Sequence, residues 1–319
     1  MQHIRQDSIS DLYVTANWNY LENHKSDKKY ESADVLLVSD SRDSMKFHAR
    51  IRTRGNMRLD ICTRLPYKLK LDKGELKTYG LSAMNEVDIV EHCHASPQYD
   101  QYLLREYLAY KIWQLISPNA YEVELIRLHF TQSDGSEAYE PTYAFLLENT
   151  EELVARLGGR PNKTSVISNH AVDREPMLQV ALFEFMIGNT DWYIFNRHNL
   201  EFVVLPDHPL LVPIPYDFDY SGLVDAPYAA HHTSINLSSV RIRYYQGWCF
   251  PEEEVKRALK VFREQKQAIL KLPYEIPGLD QKSANYTHDY LVDFFDIIDN
   301  PRKLENQILK HCDMWPVKK

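Results

Sequence analysis

The chain has 319 residues, 44% hydrophobic and 12% aromatic, which is enough for one large domain or two lobes with cores of their own. Its net charge of −8 argues against a duplex nucleic-acid partner or an anionic membrane surface, since either would favour a basic face. No run of about 18 apolar residues occurs, so no transmembrane helix is expected.

In chain order, residues 11–90 carry the strand pattern. ADVLLVSD, KFHARIRTRG and LPYKLKLDKG are short runs with alternation, separated by turn residues. In PYKLKL, Tyr67, Leu69 and Leu71 share one face and Lys68 and Lys70 the other. EHCH at 91–94 puts His92 and His94 at alternate positions near a strand end, a pattern better suited to a strand than to a metal centre. DQYLLREYLAYKIWQLI at 100–116 is helical: Leu104, Tyr107, Leu108, Ile112 and Leu115 recur at helical spacing, and Ser117-Pro118 stops it. A hairpin around SDGSE follows.

From about residue 150 the pattern turns helical. Asp173 is placed to cap a helix with a stripe of Leu178, Ala181, Leu182, Phe185 and Met186, and Gly188 lies just past its end. NLEFVVL and LLVPIP form two strand-like runs joined by PDHP. A helix starts at Pro251, and two more are expected over 284–298 and 301–312. The expected architecture is α+β in two lobes, 1–147 rich in strands with one helix and 148–319 mainly helical.

The four cysteines, Cys62, Cys93, Cys249 and Cys312, show no metal-finger spacing. A Cys62–Cys93 disulfide is expected if the compartment is oxidising. The opening MQHIRQDSIS has no apolar signal core, which leaves two expectations open: a cytoplasmic protein, or a periplasmic or secreted one whose leader preceded Met1.

The chemistry concentrates in GNTDWYIFNRHN (188–199) and IPYDFDYSG (214–222). Phosphoryl transfer from ATP needs a carboxylate to orient the incoming hydroxyl. It also needs an amide oxygen and a second carboxylate for divalent metal, and a lysine for phosphate charge. Asp191 stands five residues before Asn196, with Asn199 as a second amide candidate. The NLEFVVL–PDHP–LLVPIP hairpin then returns the chain at Asp217, and Asp219 follows two residues on. Lys70, or Lys68 on the same strand face, suits the phosphate lysine, and Glu106 on the 100–116 helix is a candidate partner for it. SSVRIRYYQGW puts Arg241 and Arg243 on one face, where pairing with surface carboxylates is expected. AAHHTS is expected to be a loop with two solvated histidines.

RTRGNMRLDICTRLPYKLKLDKG, YLLREYLAYKIWQLI, TYAFLLE and IGNTDW…PIPYDFDYSG resemble the strand pair, helix, hinge and catalytic segments of the CotH-like atypical protein kinases. The likeness is nearer still to a group of exported bacterial proteins with RTRGN, IGNTDW and PYDFDWSG-type motifs. It covers roughly residues 45–250. The resemblance implies a kinase-like fold that uses ATP with Mg²⁺ or Mn²⁺. In it Asp191 would be the catalytic carboxylate, Asn196 and Asp217, with Asp219, the metal ligands, and Lys70 or Lys68 the nucleotide lysine supported by Glu106. Arg54, Gly55 and Asn56 would form the phosphate-covering turn, and Leu147 and Glu148 would belong to the adenine hinge. The expected activity is phosphotransfer, with a protein hydroxyl favoured over a small molecule as acceptor. The alternatives are a non-catalytic pseudokinase module, AMP transfer, or a metal-dependent phosphohydrolase.

Overall fold

We describe a computed structural model of the chain, covering residues 9–39, 43–55, 59–60, 62–82, 84–94, 96–231 and 235–312. The fold is α+β and divides into two compact units, Met1–Leu103 with Glu122–Glu152, and Leu104–Tyr121 with Leu153–Lys319. Residues 104–121 therefore count with the second unit, where the sequence pattern alone kept them in the first lobe.

In the first unit, β1 (Ser10–Ala16), β2 (Glu31–Val38), β3 (Ser44–Thr53), β4 (Tyr67–Leu71), β5 (Glu86–Glu91), β6 (Val123–Gln132) and β7 (Glu137–Leu147) close into a barrel of order β1-β2-β3-β4-β5-β7-β6. The first and last members of that order, β1 and β6, pair in parallel, and the other neighbours are antiparallel. Alternation in the sequence produces this directly. Leu12, Val14, Val35, Leu37, Phe47, Ile51, Leu69 and Ile126 point inward and are buried, while the residues between them face out. Trp18 plugs the interior at the start of helix α1 (Trp18–Asn23), packing edge-on against Tyr67 and Phe130 at 5.1 Å each. Its indole N–H donates to the Thr131 carbonyl, 2.9 Å away. Helix α2 (Lys73–Thr78) is capped by Asp72, whose carboxylate accepts from the backbone of Gly74 and Glu75.

The barrel holds one buried acid that sets a pH dependence. Glu91 is wholly enclosed, and neither carboxylate oxygen has a hydrogen-bond partner among the described residues. Burial drives its pKa from 4.5 to about 8, against the pull of Arg64. Below pH 4.5 folded and unfolded chains both hold the proton. Between 4.5 and about 8 only the folded chain does, so stability falls as pH rises through that window and the loss is complete above it. The swing is on the order of 5 kcal/mol. Urea midpoints at pH 5 and pH 8.5 should show Glu91→Gln flattening this slope; an unchanged slope would place the titration elsewhere.

Helix α3 (Pro97–Ile116) begins three residues before the pattern predicts, with proline in its first turn, where a missing N–H costs nothing. Helix α4 (Thr150–Arg156) spans the boundary at Glu152/Leu153, and the second unit continues with the short strand β8 (Arg160–Pro161) and then α5 (Arg174–Ile187). Asp173 caps α5 as expected. Gly188 ends it at φ +68°, and an added Cβ there would collide with the Tyr290 hydroxyl, so only glycine suits the position. Strands β9 (Leu200–Val204) and β10 (Val212–Pro215) form the expected hairpin, with β8 added beside β9.

Helices α6 (Glu252–Glu264), α7 (Lys266–Lys271) and α8 (Gln281–Asp299) complete the unit. The helix expected over 301–312 is instead a four-residue turn, α9 (Pro301–Leu304), widening into a π turn through Leu309. Arg243 is not paired with surface carboxylates. It is half-buried, stacked on the Tyr290 ring at 3.7 Å, and donates to the carbonyls of Met186 and Tyr290. The barrel is stapled by Cys62–Cys93 and the second unit by Cys249–Cys312, so all four cysteines are paired. Among the described residues no helix is long and apolar enough to cross a membrane.

Candidate functional site

The segment after Gly188 is built around Asp191. Asn189 accepts the Asp191 backbone N–H on its side-chain oxygen at 3.0 Å. Asn199 donates its amide to the Asp191 carbonyl at 2.8 Å and to Oδ2 at 3.1 Å. His198 Nε2 lies 3.0 Å from Oδ1. An ionised carboxylate only accepts, so His198 carries its proton on Nε2 here. Each carboxylate oxygen thus has one donor and keeps lone-pair capacity for another.

The turn that brings these groups together is stiff. Tyr193 and His198 exchange backbone hydrogen bonds at 3.0 Å each. Arg197, at φ +57°, donates to the carbonyls of Asn162 and Thr164 and pairs with Glu201. Asn196 sits exposed at the turn tip, whereas Asn199 is buried beside Asp191. The two amides that sequence spacing left in competition are thereby separated: the turn residues intervene, and only Asn199 folds back onto the carboxylate.

The hairpin returns the chain as its length predicts. Leu200 pairs with Pro215, and Tyr216 N–H donates to the Asn199 carbonyl at 3.1 Å, so Asp217 emerges next to Asn199 along the backbone. Both residues adopt left-handed conformations, φ +52° for Asn199 and φ +64° for Asp217, which Asn and Asp tolerate better than most residues. The Asp217 N–H is held by the Tyr110 hydroxyl at 2.9 Å. Burial pushes the Tyr110 phenol well above its ordinary range, which keeps it a neutral anchor. Phe218 is fully buried between Tyr110 and Phe183, at 4.6 and 5.4 Å. Asp219 is buried and accepts from the Tyr228 hydroxyl at 3.1 Å.

Two further groups back the segment. Glu184 on α5 is buried, and its enclosure, reinforced by the Asp191 charge, pushes its carboxyl well above the usual carboxylate range against the opposing effect of Asn189. His231 is not a solvated loop residue: Nε2 donates to the Ser239 carbonyl at 2.7 Å, which leaves Nδ1 to accept from Thr190 at 3.1 Å. His232 lies outside the described residues.

In the barrel unit, Lys68 and Lys70 stand on the outer face of β4. Lys70 pairs with Glu86 at 2.6 Å and Lys68 with Asp88 at 3.1 Å, each facing its partner in register on β5. The Lys70 ammonium holds the Glu86 carboxyl below its usual range. Arg54 also reaches Asp88, at 3.2 Å. Across β3 and β4 like charges sit opposite each other, Arg50 to Lys70 and Arg52 to Lys68, an arrangement that destabilises a sheet unless an anion offsets it. Tyr30 lies beneath Arg50 and Arg52 at 5.5 and 5.2 Å. This is a cationic face on a chain of net charge −8. Gly55 follows Arg54 at φ +79°, and Asn56 lies outside the described residues. Glu106 is buried on α3, and Leu147 and Glu148 are buried at the end of β7, where Glu148 accepts the Glu122 N–H at 3.0 Å.

His92 lies in the same unit, after β5. It is buried against the Thr142 hydroxyl at 2.5 Å and the Asp100 carboxylate at 3.1 Å, and Cys93 is in a disulfide. Among the described residues no three His, Cys, Asp or Glu side chains converge as a metal cage. Asp217 and Asn199 offer hard oxygen donors and too few of them to enclose a cation. That fits Mg²⁺ or Mn²⁺ sharing phosphate and water ligands, and does not fit a structural metal.

Sequence reasoning missed His198, Asn189, Tyr110 and the second disulfide. His198 carried a faint signal as the neighbour of Asn199; Tyr110 carried none, because helical spacing marks it simply as core.

No protein-family profile matches the chain, and no curated protein does. Among solved structures, the chain is similar to a Helicobacter pylori proinflammatory kinase, CtkA. The TM-score is 0.42 and the identity 12%, with 76% of this chain and 95% of that one covered. A likeness at that level fixes neither a fold nor a reaction.

Proposed function

We propose that the chain is an ATP- and divalent-metal-dependent phosphotransferase of an atypical kinase-like type, related to the CotH-like kinases whose motifs it resembles. The observation that carries this reading is the hairpin that sets Asp217 beside Asn199 while Asn199 holds the Asp191 carboxylate. A glycosidase would leave the amide without a role.

In this reading Asp191 accepts a hydrogen bond from the acceptor hydroxyl and takes its proton as the new bond to the γ-phosphorus forms and the bond to the β–γ bridging oxygen breaks, ADP leaving with that oxygen. His198 and Asn199 fix the carboxylate so that its free lone pairs meet that proton in one orientation. Asp217 and the Asn199 amide oxygen would hold the metal, whose contribution when bound is to offset phosphate charge. Asn199 takes the role that motif spacing gave to Asn196. By the resemblance, Lys70 and Lys68, with Arg54, contact phosphate, Lys70 being held by Glu86, and Leu147 and Glu148 lie toward the base. The acceptor is a protein hydroxyl, by resemblance alone. With all four cysteines paired, an oxidising compartment is the setting we propose.

Parallel Asn199→Ala and Asn196→Ala variants separate the two amides. Asn199→Ala should lower ATP turnover about 100-fold or more, by loss of the fixed carboxylate and a ligand, while Asn196→Ala stays near wild type. The reverse ranking, read as ADP release with Mg²⁺, would return the role to Asn196.

A further inference from the structure

The outer face of β3 and β4 carries more positive charge than the acids beside it offset. Strand alternation puts Arg50 and Arg52 on that face of β3, with Arg54 just past its end, and Lys68 and Lys70 on the same face of β4. Glu86 and Asp88 on β5 pair with Lys70, Lys68 and Arg54. Arg50 and Arg52 form no ion pair among the described residues. Arg52 gives one N–H to the Thr53 carbonyl at 3.1 Å, and both guanidinium groups lie over the Tyr30 ring, which also meets the Lys70 ammonium at 5.8 Å.

Arg50 faces Lys70 and Arg52 faces Lys68 in successive rows of this face, so the bare sheet holds these cations at a cost in stability. Two arginine forks with free N–H groups, beside lysines that keep donors beyond those given to Glu86 and Asp88, suit a multidentate oxyanion. The patch is also small. Its two rows lie about 7 Å apart along the strands, and β3 and β4 lie about 5 Å apart across them. Acids close it on two sides: Glu86 and Asp88 along β5, and Asp34, Asp72 and Glu75 around His48, the next outward residue of β3. Those carboxylates repel an extended polyanion such as nucleic acid, whereas a chain of two or three phosphates fits among the four cations.

We propose that this face binds a compact polyphosphate anion, without a metal, through Arg50 and Arg52 together with Lys68 and Lys70. The inference concerns the barrel face alone and does not need the phosphotransfer reading. The ligand is the phosphate chain of a nucleotide or a free polyphosphate, and the test separates the two.

Calorimetry on the whole chain, in EDTA at low salt, uses tripolyphosphate, orthophosphate and ATP. Tripolyphosphate should bind one per chain, with orthophosphate at least about tenfold weaker. Arg50→Gln/Arg52→Gln should weaken tripolyphosphate at least about tenfold and, with no ligand present, raise the urea midpoint, because the opposed like charges are gone. The exposed Arg50→Gln alone should show part of both effects, and Lys46→Gln, exposed on β3 beyond His48, should leave binding unchanged. ATP displacing tripolyphosphate would assign the face to a nucleotide's phosphate chain; tripolyphosphate undisturbed by ATP would assign it to a free polyphosphate. Absence of tripolyphosphate binding would overturn the proposal, as would undiminished binding in the folded arginine variants or tighter binding of a single-stranded oligonucleotide than of tripolyphosphate. Asp217→Ala, which tests the phosphotransfer reading, should leave this metal-free binding intact, so the two fail separately.

Discussion

Asp191→Asn is expected to lower turnover about 1,000-fold while leaving nucleotide affinity within about twofold. The isosteric amide keeps the shape and can still bond its neighbours, but it cannot take a proton. The nitrogen of the new amide would also meet either His198 Nε2 or the Asn199 amide, both of which donate to the carboxylate in the native chain. One donor–donor clash results unless His198 changes tautomer. The loss should therefore fall on kcat and spare KM for ATP. A pre-steady-state burst of ADP or phosphoprotein, if wild type shows one, should vanish with it. Turnover unchanged in Asp191→Asn would remove Asp191 from the reaction altogether.

The largest expected effect on stability comes from the disulfides. Cys62–Cys93 closes 31 residues and Cys249–Cys312 closes 63. Loop-closure entropy alone gives each about 4 kcal/mol. Urea unfolding with and without a phosphine reductant measures the sum, and Cys62→Ser/Cys93→Ser and Cys249→Ser/Cys312→Ser pairs divide it. The first pair should cost more than its loop length implies, because Thr63 and Arg64 both donate backbone N–H groups to the Cys93 carbonyl, and the staple fixes that contact. Unfolding unaffected by reductant would show that the cysteines are not paired in solution.

The strands and most helices were legible because binary patterning decides them. Tyr67, Leu69 and Leu71 alternate with Lys68 and Lys70, and the barrel buries the first set against Trp18 and its neighbours. Asp173 and Gly188 marked α5 because caps depend on local chemistry alone. Barrel closure by β1 against β6 was not legible, since nothing within either strand encodes a partner more than a hundred residues away. The Cys249–Cys312 bond was hidden for the same reason.

The site was legible only in part. Spacing made Asp191 and Asp217 candidates, and the expected hairpin does return the chain beside Asn199. Spacing could not choose between Asn196 and Asn199. Our proposal of Asn199 rests on the backbone bonds between Tyr193 and His198 and on the left-handed turns at Arg197 and Asn199, which have no sequence pattern of their own. Arg243 misled for a related reason. An arginine in a polar stretch suggests surface pairing, yet here it satisfies two carbonyls and stacks on Tyr290 inside the second unit.

The most direct test of the central claim is thermal unfolding of wild type and Asp217→Ala with ATP, in Mg²⁺, Mn²⁺ and EDTA. ATP at about 100 times its dissociation constant should add about 2.7 kcal/mol to the wild-type fold, a rise in Tm of about 4 °C for a chain of this size. We expect that rise in wild type with Mg²⁺ or Mn²⁺, and its disappearance in EDTA and in Asp217→Ala. An equal rise in Asp217→Ala, or no rise in wild type with either metal, would contradict a nucleotide–metal site built on Asp217.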